Sequence, residues 1–255
     1  MNSKTFRIAR MIVLAGFALS SAAWAATCSN ASLSGTYGFL HDGTDSNGTP
    51  ATAAVSQITF DPTPGTFTVT TKASHDGVIA TEFLTGTYTI ASNCTGAGTP
   101  TGGIPFSIVV TSTGFLAVHA FSEGFAVKQG PATCTSAGVE GSYGFETTGV
   151  YLAGAPAIGP VVFIGKLKLA VNASGEGVIS GRISGAEDAT TMTFAEEPVT
   201  GSYEVGVDCR GRATIAPKGL SEMHFHFVVV DGGNEMLAIQ TDADTIVSGS
   251  LAKGN

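Results

Sequence analysis

Charge is scarce in this chain. Lys, Arg, Asp and Glu together make up 13% of its 255 residues, about half the usual share of a soluble protein. That leaves little for the ion-paired helical surfaces of bundles and coiled coils, and apolar periodicity of the helical kind is nearly absent. Tryptophan occurs once, as Trp24 near the N-terminus. No apolar run reaches the roughly 20 residues that a membrane-spanning helix needs. The four cysteines contain no Cys-x-x-Cys pair, which argues against a zinc or dithiol redox motif. The 34 glycines follow no triplet repeat, so collagen is excluded. Disorder is excluded as well, because apolar residues are plentiful and like-charge blocks are missing.

Residues 1–25 read as an export signal. Lys4, Arg7 and Arg10 precede an apolar stretch from Met11 to Leu19, and Ala23-Trp24-Ala25 supplies a small-x-small cleavage site. The expected location is periplasmic or extracellular. Without those three cations the 12 basic residues fall to nine against 20 acidic ones, a net charge of −11. Nucleic acid is therefore not an expected partner, since phosphate binding needs clustered Lys and Arg. No membrane span is expected in the mature chain.

What the chain does contain is an internal repeat. Cys28-Ser-Asn-Ala-Ser-Leu33-Ser-Gly35-Thr-Tyr37-Gly38-Phe39 recurs as Cys134-Thr-Ser-Ala-Gly-Val139-Glu-Gly141-Ser-Tyr143-Gly144-Phe145. Gly86-Thr-Tyr88 through Cys94-Thr-Gly96 recurs as Gly201-Ser-Tyr203 through Cys209-Arg-Gly211, and Leu116-Ala-Val118 as Leu237-Ala-Ile239. The offset grows from 106 at Tyr37/Tyr143 to 115 at Tyr88/Tyr203. The second copy thus carries nine extra residues, and the acidic run Glu196-Glu197-Pro198 reads as a loop within or beside them. The expected organisation is a first repeat at 26–130 and a second at 131–255, joined near Gln129 to Thr133.

Within each repeat, alternation of apolar and polar residues points to strands. Leu167 and Leu169 alternate with Lys166 and Lys168, and Tyr203 and Val205 with Ser202 and Glu204. Asn47-Gly48, Pro64-Gly65 and Asp76-Gly77 mark turns. About eight strands per copy are expected, starting in the second near Gly141, Val161, Gly177, Val199, Gly211, Met223, Glu235 and Thr245. The fold class is all-β: two tandem antiparallel up-and-down β-barrels, closure removing the edges that promote aggregation. A single 16-stranded outer-membrane barrel is disfavoured by the outward Lys166, Lys168 and Glu204. In an up-and-down sheet the start of the first strand and the end of the fourth share a rim. Cys28–Cys94 and Cys134–Cys209 are therefore the expected disulfides.

The Cys-x4-Leu/Val-x-Gly-x-Tyr-x-Phe block, followed by Gly-x-Tyr and a downstream Cys-x-Gly, resembles that of uncharacterised exported bacterial proteins. The implied scaffold is similar to the small barrels of lipocalins and allene oxide cyclases. The lipocalin Gly-x-Trp signature is absent, and the resemblance assigns no catalytic residue.

Two candidate sites stand out. Glu222, His224 and His226 project together from one strand and form a donor set for Zn, Fe or Cu, set against plain solvated or domain-contact histidines on a strand whose Met223, Phe225, Phe227 and Val229 face the core. No other cofactor is expected. Tyr37, Tyr88, Tyr143 and Tyr203 occupy matched positions, where packing is the simplest role and lining of a ligand cavity the functional one. The overall expectation is a non-catalytic binding or surface-interaction protein for a small, partly apolar ligand or a cell-surface partner. The alternatives are an isomerase or cyclase, and a structural envelope protein with filled barrels.

Overall fold

The computed structural model describes residues 27–45, 48–119, 122–130, 134–155, 158–187 and 192–254. The segment expected to be an export signal, and part of the expected repeat junction, lie outside the described residues. Eight strands, β1 (Gly35–Thr44), β2 (Pro50–Asp61), β3 (Thr66–His75), β4 (Val78–Ile90), β5 (Thr95–Pro100), β6 (Phe106–Val110), β7 (Gly114–His119) and β8 (Ser122–Lys128), pair in sequence order and close β8 on β1. A second set, β9 (Gly141–Tyr151), β10 (Gly159–Val171), β11 (Gly177–Glu187), β12 (Met192–Val205), β13 (Arg210–Pro217), β14 (Met223–Val230), β15 (Glu235–Gln240) and β16 (Thr245–Lys253), closes β16 on β9. The chain is thus two closed antiparallel barrels in tandem, not one 16-stranded barrel.

The two registers match position by position. Tyr37 lies between Ile58 and Lys128 as Tyr143 lies between Leu167 and Lys253. The offset between equivalent residues rises from 106 (Tyr37 to Tyr143) through 109 (Ile58 to Leu167) and 112 (Phe67 to Ile179) to 115 (Tyr88 to Tyr203). The nine added residues are therefore spread over three successive hairpins. Glu196-Glu197-Pro198 is not the expected acidic loop. It lies inside β12, where Glu196 takes a φ of 55° beside a register shift opposite Ile183 to Gly185, the signature of a β-bulge.

Both expected disulfides are formed, Cys28–Cys94 and Cys134–Cys209, each with Cα atoms 4.9 Å apart. Bonds of this kind belong to an oxidising, non-cytoplasmic environment. Each ties a short 3-10 turn (Asn30–Ser32, Ser136–Val139) across one end of its barrel. Among the described residues no helix is long and apolar enough to cross a membrane.

The interiors are filled differently. Phe60 in the first barrel packs against Tyr37, Phe67, Tyr88 and Phe115 with ring centroids 4.8 to 6.0 Å apart. The second core is largely aliphatic, built on Leu167, Leu169, Ile179, Ile183 and Met236 with Phe145, Phe163, Phe225 and Phe227.

A third apolar cluster lies between the barrels. Leu40, Ala53 and Val55 on the outside of β1 and β2 pack against Val228, Val230, Leu237, Ile239 and Ile246 on the outside of β14, β15 and β16. Val228, Val230, Leu237 and Ile239 are completely buried. Fully burying such a side chain contributes about 1.5–3 kcal/mol, so this contact ranks with a core. Backbone groups join it: Asp244 N–H donates to the Gly77 carbonyl at 3.0 Å and Gly232 N–H to the Gln129 carbonyl at 2.9 Å. The Gln129 side chain donates to the Val229 carbonyl at 3.2 Å.

Candidate functional site

The disulfide end of each barrel is closed by the block that recurs in the two repeats, and this is where the four tyrosines go. Tyr88 donates to the carbonyls of Asn30 and Leu33 at 3.0 and 2.8 Å. Tyr143 donates to those of Val139 and Gly233 at 2.9 and 2.8 Å, and Tyr203 to that of Ser136 at 2.9 Å. Tyr37 and Tyr143 each lie under a lysine ammonium, Lys128 and Lys253, 5.7 Å from the ring centroid. Burial pushes the phenols of Tyr88, Tyr143 and Tyr203 up to about 12. These three hydroxyls are spent on fixing the 3-10 turn as a plug. The space remaining in the second core, beside Tyr203, Phe145 and Phe225, is about 20 Å³, room for about one water.

The opposite end of each barrel is polar. In the first barrel, alternation places His41 on the inward face of β1 after Tyr37 and Phe39, His75 at the end of β3, Glu82 in β4 and His119 at the end of β7. His75 Nε2 lies 2.8 Å from Glu82 Oε1 and its Nδ1 3.2 Å from Thr52 Oγ1. His41 stacks on Phe39 with centroids 5.1 Å apart, and its Nδ1 shares a hydrogen bond with Ser122 Oγ at 3.2 Å. Removal from water, helped by the neighbouring His75, lowers the His41 pKa to about 4, so its ring is neutral at physiological pH. The Ser122–His41 and His75–Glu82 pairs have no member in common. They therefore do not form a serine, histidine and carboxylate relay through one imidazole.

In the second barrel the mouth is a recess of about 260 Å³, lined by Tyr151, Leu220, Glu222, Gln240, Asp242 and Thr245 among others. A hydrogen-bonded chain runs along its wall. His224 Nδ1 meets Asp242 Oδ1 at 2.7 Å, Gln240 donates to Asp242 Oδ2 at 2.8 Å, and Tyr151 donates to Gln240 Oε1 at 3.3 Å. The Asp242 carboxylate also accepts the His224 backbone N–H at 2.9 Å.

Of the metal donor set expected from sequence, Glu222 lines this recess and His224 is held by Asp242. His226 is within the influence of Lys72, Arg210 and Arg212, and burial first and those cations second lower its pKa to about 4. Among the described residues no three His, Cys, Asp or Glu side chains gather as a metal site. Glu222 precedes β14, which begins at Met223, so the three side chains do not project from one strand as expected. The residues that sequence reasoning did not bring together are His41, His75, Glu82 and His119, which only the closed sheet places at one rim, and the Gln240–Asp242 pair. Parity along β1, β3 and β7 was the available signal.

No family model and no curated protein matches the chain. Among solved structures it is aligned with a protein of unknown function from the DUF3598 family of Nostoc punctiforme, over 88% of this chain and 97% of that one, at 9% identity and a TM-score of 0.28. A likeness at that TM-score carries no argument about fold or function.

Proposed function

We propose that the protein is an exported binding and surface-interaction module, and that a small, partly apolar ligand is taken at the mouth of the second barrel. The observation that carries this reading is the 260 Å³ recess beside Leu220, where Gln240 and Asp242 converge with Tyr151 and Glu222. Two carboxylates and an amide beside an apolar wall suit a molecule that presents hydroxyl or amine donors together with a short hydrocarbon part. A lipocalin-like carrier or a cyclase-like enzyme would need an interior cavity, and about 20 Å³ in the second core does not favour either. The same filling supports a second reading, a structural envelope protein.

Native mass spectrometry on protein isolated from its own host tests the reading. The expected result is a bound mass on the wild type that disappears in Leu220→Arg, which obstructs the recess at a partly exposed position, with unchanged melting. Wild-type protein that carries no bound mass would overturn the ligand part and favour the structural reading.

A further inference from the structure

Each barrel has the same two outer faces, and the molecule uses only one of each. The contact between the barrels joins the β1–β2 face of the first to the β14–β16 face of the second. Left over are the β9–β10 face of the second barrel, equivalent to β1–β2, and the β6–β8 face of the first, equivalent to β14–β16. The equivalence can be followed across the strands. One row reads Val109, Leu116, Phe125, Leu40, Val55 in the first barrel, and Val228, Leu237, Ser250, Glu146, Ile164 in the second.

In the internal contact Val228 and Leu237 are fully buried against Leu40 and Val55. Their unused counterparts are apolar and open: Val109 is 46% exposed, Leu116 45% and Ile164 56%. The next row repeats the pattern, with Val118 matching Ile239 and Val162 matching Ala53.

A glycine notch marks the same relation. Gly38 must be glycine where it is, because a Cβ there would stand 2.4 Å from Val230 Cγ1 and 3.0 Å from Val228 Cγ1. Its counterpart Gly144 has no such neighbour: a Cβ there would meet only the Ala252 carbonyl, at 3.8 Å. Above it lies an open groove of about 950 Å³ between Ile164, Lys166, Arg182 and Ser250. Lys166 and Arg182 are cross-strand neighbours, a like-charge pairing that destabilises a sheet. Among the described residues neither they nor Lys168 has a carboxylate ion partner. The repeat that bears the other free face holds two basic residues against six acidic ones between positions 26 and 130, and one of those acids, Glu123, lies on β8 beside Val118.

We propose that the β9–β10 face of one molecule docks on the β6–β8 face of a second copy of this chain, repeating the internal barrel–barrel contact. Such a contact is heterologous, since its two sides differ, and each added molecule presents both faces again; growth is head to tail. Glu146 in place of Leu40 and Phe125 in place of Ser250 make it a poorer fit than the internal one, so association is reversible. The proposal rests on the surface-interaction half of the function above. It does not depend on a ligand at the mouth, and a ligand-free protein leaves it standing.

Sedimentation velocity of the disulfide-bonded mature chain, over a wide concentration range at low and high salt, provides the test. The expected result is a mass that climbs with concentration without a plateau at dimer. Leu116→Glu on one face, and Gly144→Leu or Ile164→Asp on the other, should each abolish the climb with melting unchanged. Mixing Leu116→Glu with Ile164→Asp should restore a one-to-one dimer and nothing larger, because one intact face of each kind remains. A wild type that stays monomeric throughout overturns the proposal. So does a monomeric wild type that binds polyglutamate through Lys166 and Arg182, which would assign the groove to an acidic polymer, or a dimer that each single variant still forms.

Discussion

The two barrels agree at one end and part company at the other. At the disulfide end a cysteine, a 3-10 turn and buried tyrosines recur in register, and the matched Tyr88 and Tyr203 donate to the matched carbonyls of Asn30 and Ser136. At the far end His41 of the first barrel is replaced by Thr147, and His119 by Gln240. The hydroxyl of Thr147 is buried with no hydrogen-bond partner. The duplicated unit therefore has a closed end that determines the fold and a rim that is free to vary. The first rim became a histidine cluster, and the second a recess lined with Gln240 and Asp242. The outer faces differ for another reason: the first barrel has β1–β2 covered by its neighbour, and the second has the same face uncovered.

The largest expected effect tests whether the two plugs are equivalent. Each disulfide closes a loop of comparable length, with sequence separations of 66 and 75, which the chain-entropy model converts to about 4 kcal/mol apiece. Cys28→Ala/Cys94→Ala and Cys134→Ala/Cys209→Ala should lower stability in chemical denaturation by similar amounts. Because Val228, Val230, Leu237 and Ile239 are buried by both barrels together, each variant should still unfold in one transition. A transition that splits in two would mean that the barrels are energetically independent despite their shared cluster.

The next effect sets one histidine of each barrel side by side as pH falls. His41 in the first and His226 in the second both have pKa values of about 4 in the folded chain, against about 6.5 unfolded. Between those values the unfolded chain binds protons that the folded chain does not, so stability falls as pH drops from about 6.5 to about 4. The upper bound is of order 3 kcal/mol for each histidine. His41→Gln and His226→Gln should each flatten the fall of melting temperature with acidification over that window, and the double variant should flatten it most. A pH profile unchanged by His41→Gln would show that the first rim is open to water and that its ring titrates normally.

These differences also show what the sequence could and could not reveal. Barrel class and disulfide pairing were readable, because Cys, Gly and Tyr spacing and period-two alternation are local. Seven of the eight strand starts expected in the second copy fall within two residues of the strands formed; β12 begins at Met192, seven residues before Val199, because its bulge at Glu196 breaks the alternation. The rim clusters were not readable as clusters. His41, Glu82 and His119 are far apart in sequence, and only the register of the closed sheet makes them neighbours. The covered face was hidden for the same reason: Ala53 and Val55 on the outside of β2 make sense only once Leu237 lies against them.

The smallest predicted effect returns to the shared end and asks how alike the two plugs are. Tyr88 and Tyr143 each share their single phenol proton between two carbonyls, whereas Tyr203 reaches one. Removing a buried hydroxyl leaves its acceptor carbonyls short of a partner at about 1–3 kcal/mol, so the loss should follow the number and burial of the carbonyls involved. Tyr143→Phe is the strongest case, since its ring is fully buried and both contacts are enclosed. It should cost about 2 kcal/mol in urea denaturation, with Tyr88→Phe close behind. Tyr203→Phe, whose contact to Ser136 is only partly buried, should lose about 1 kcal/mol. If Tyr203→Phe proved the most damaging, the second plug would be held chiefly from β12 and not from β9. The plugs of the two barrels would then share a sequence pattern without sharing the division of labour that their hydrogen bonds describe.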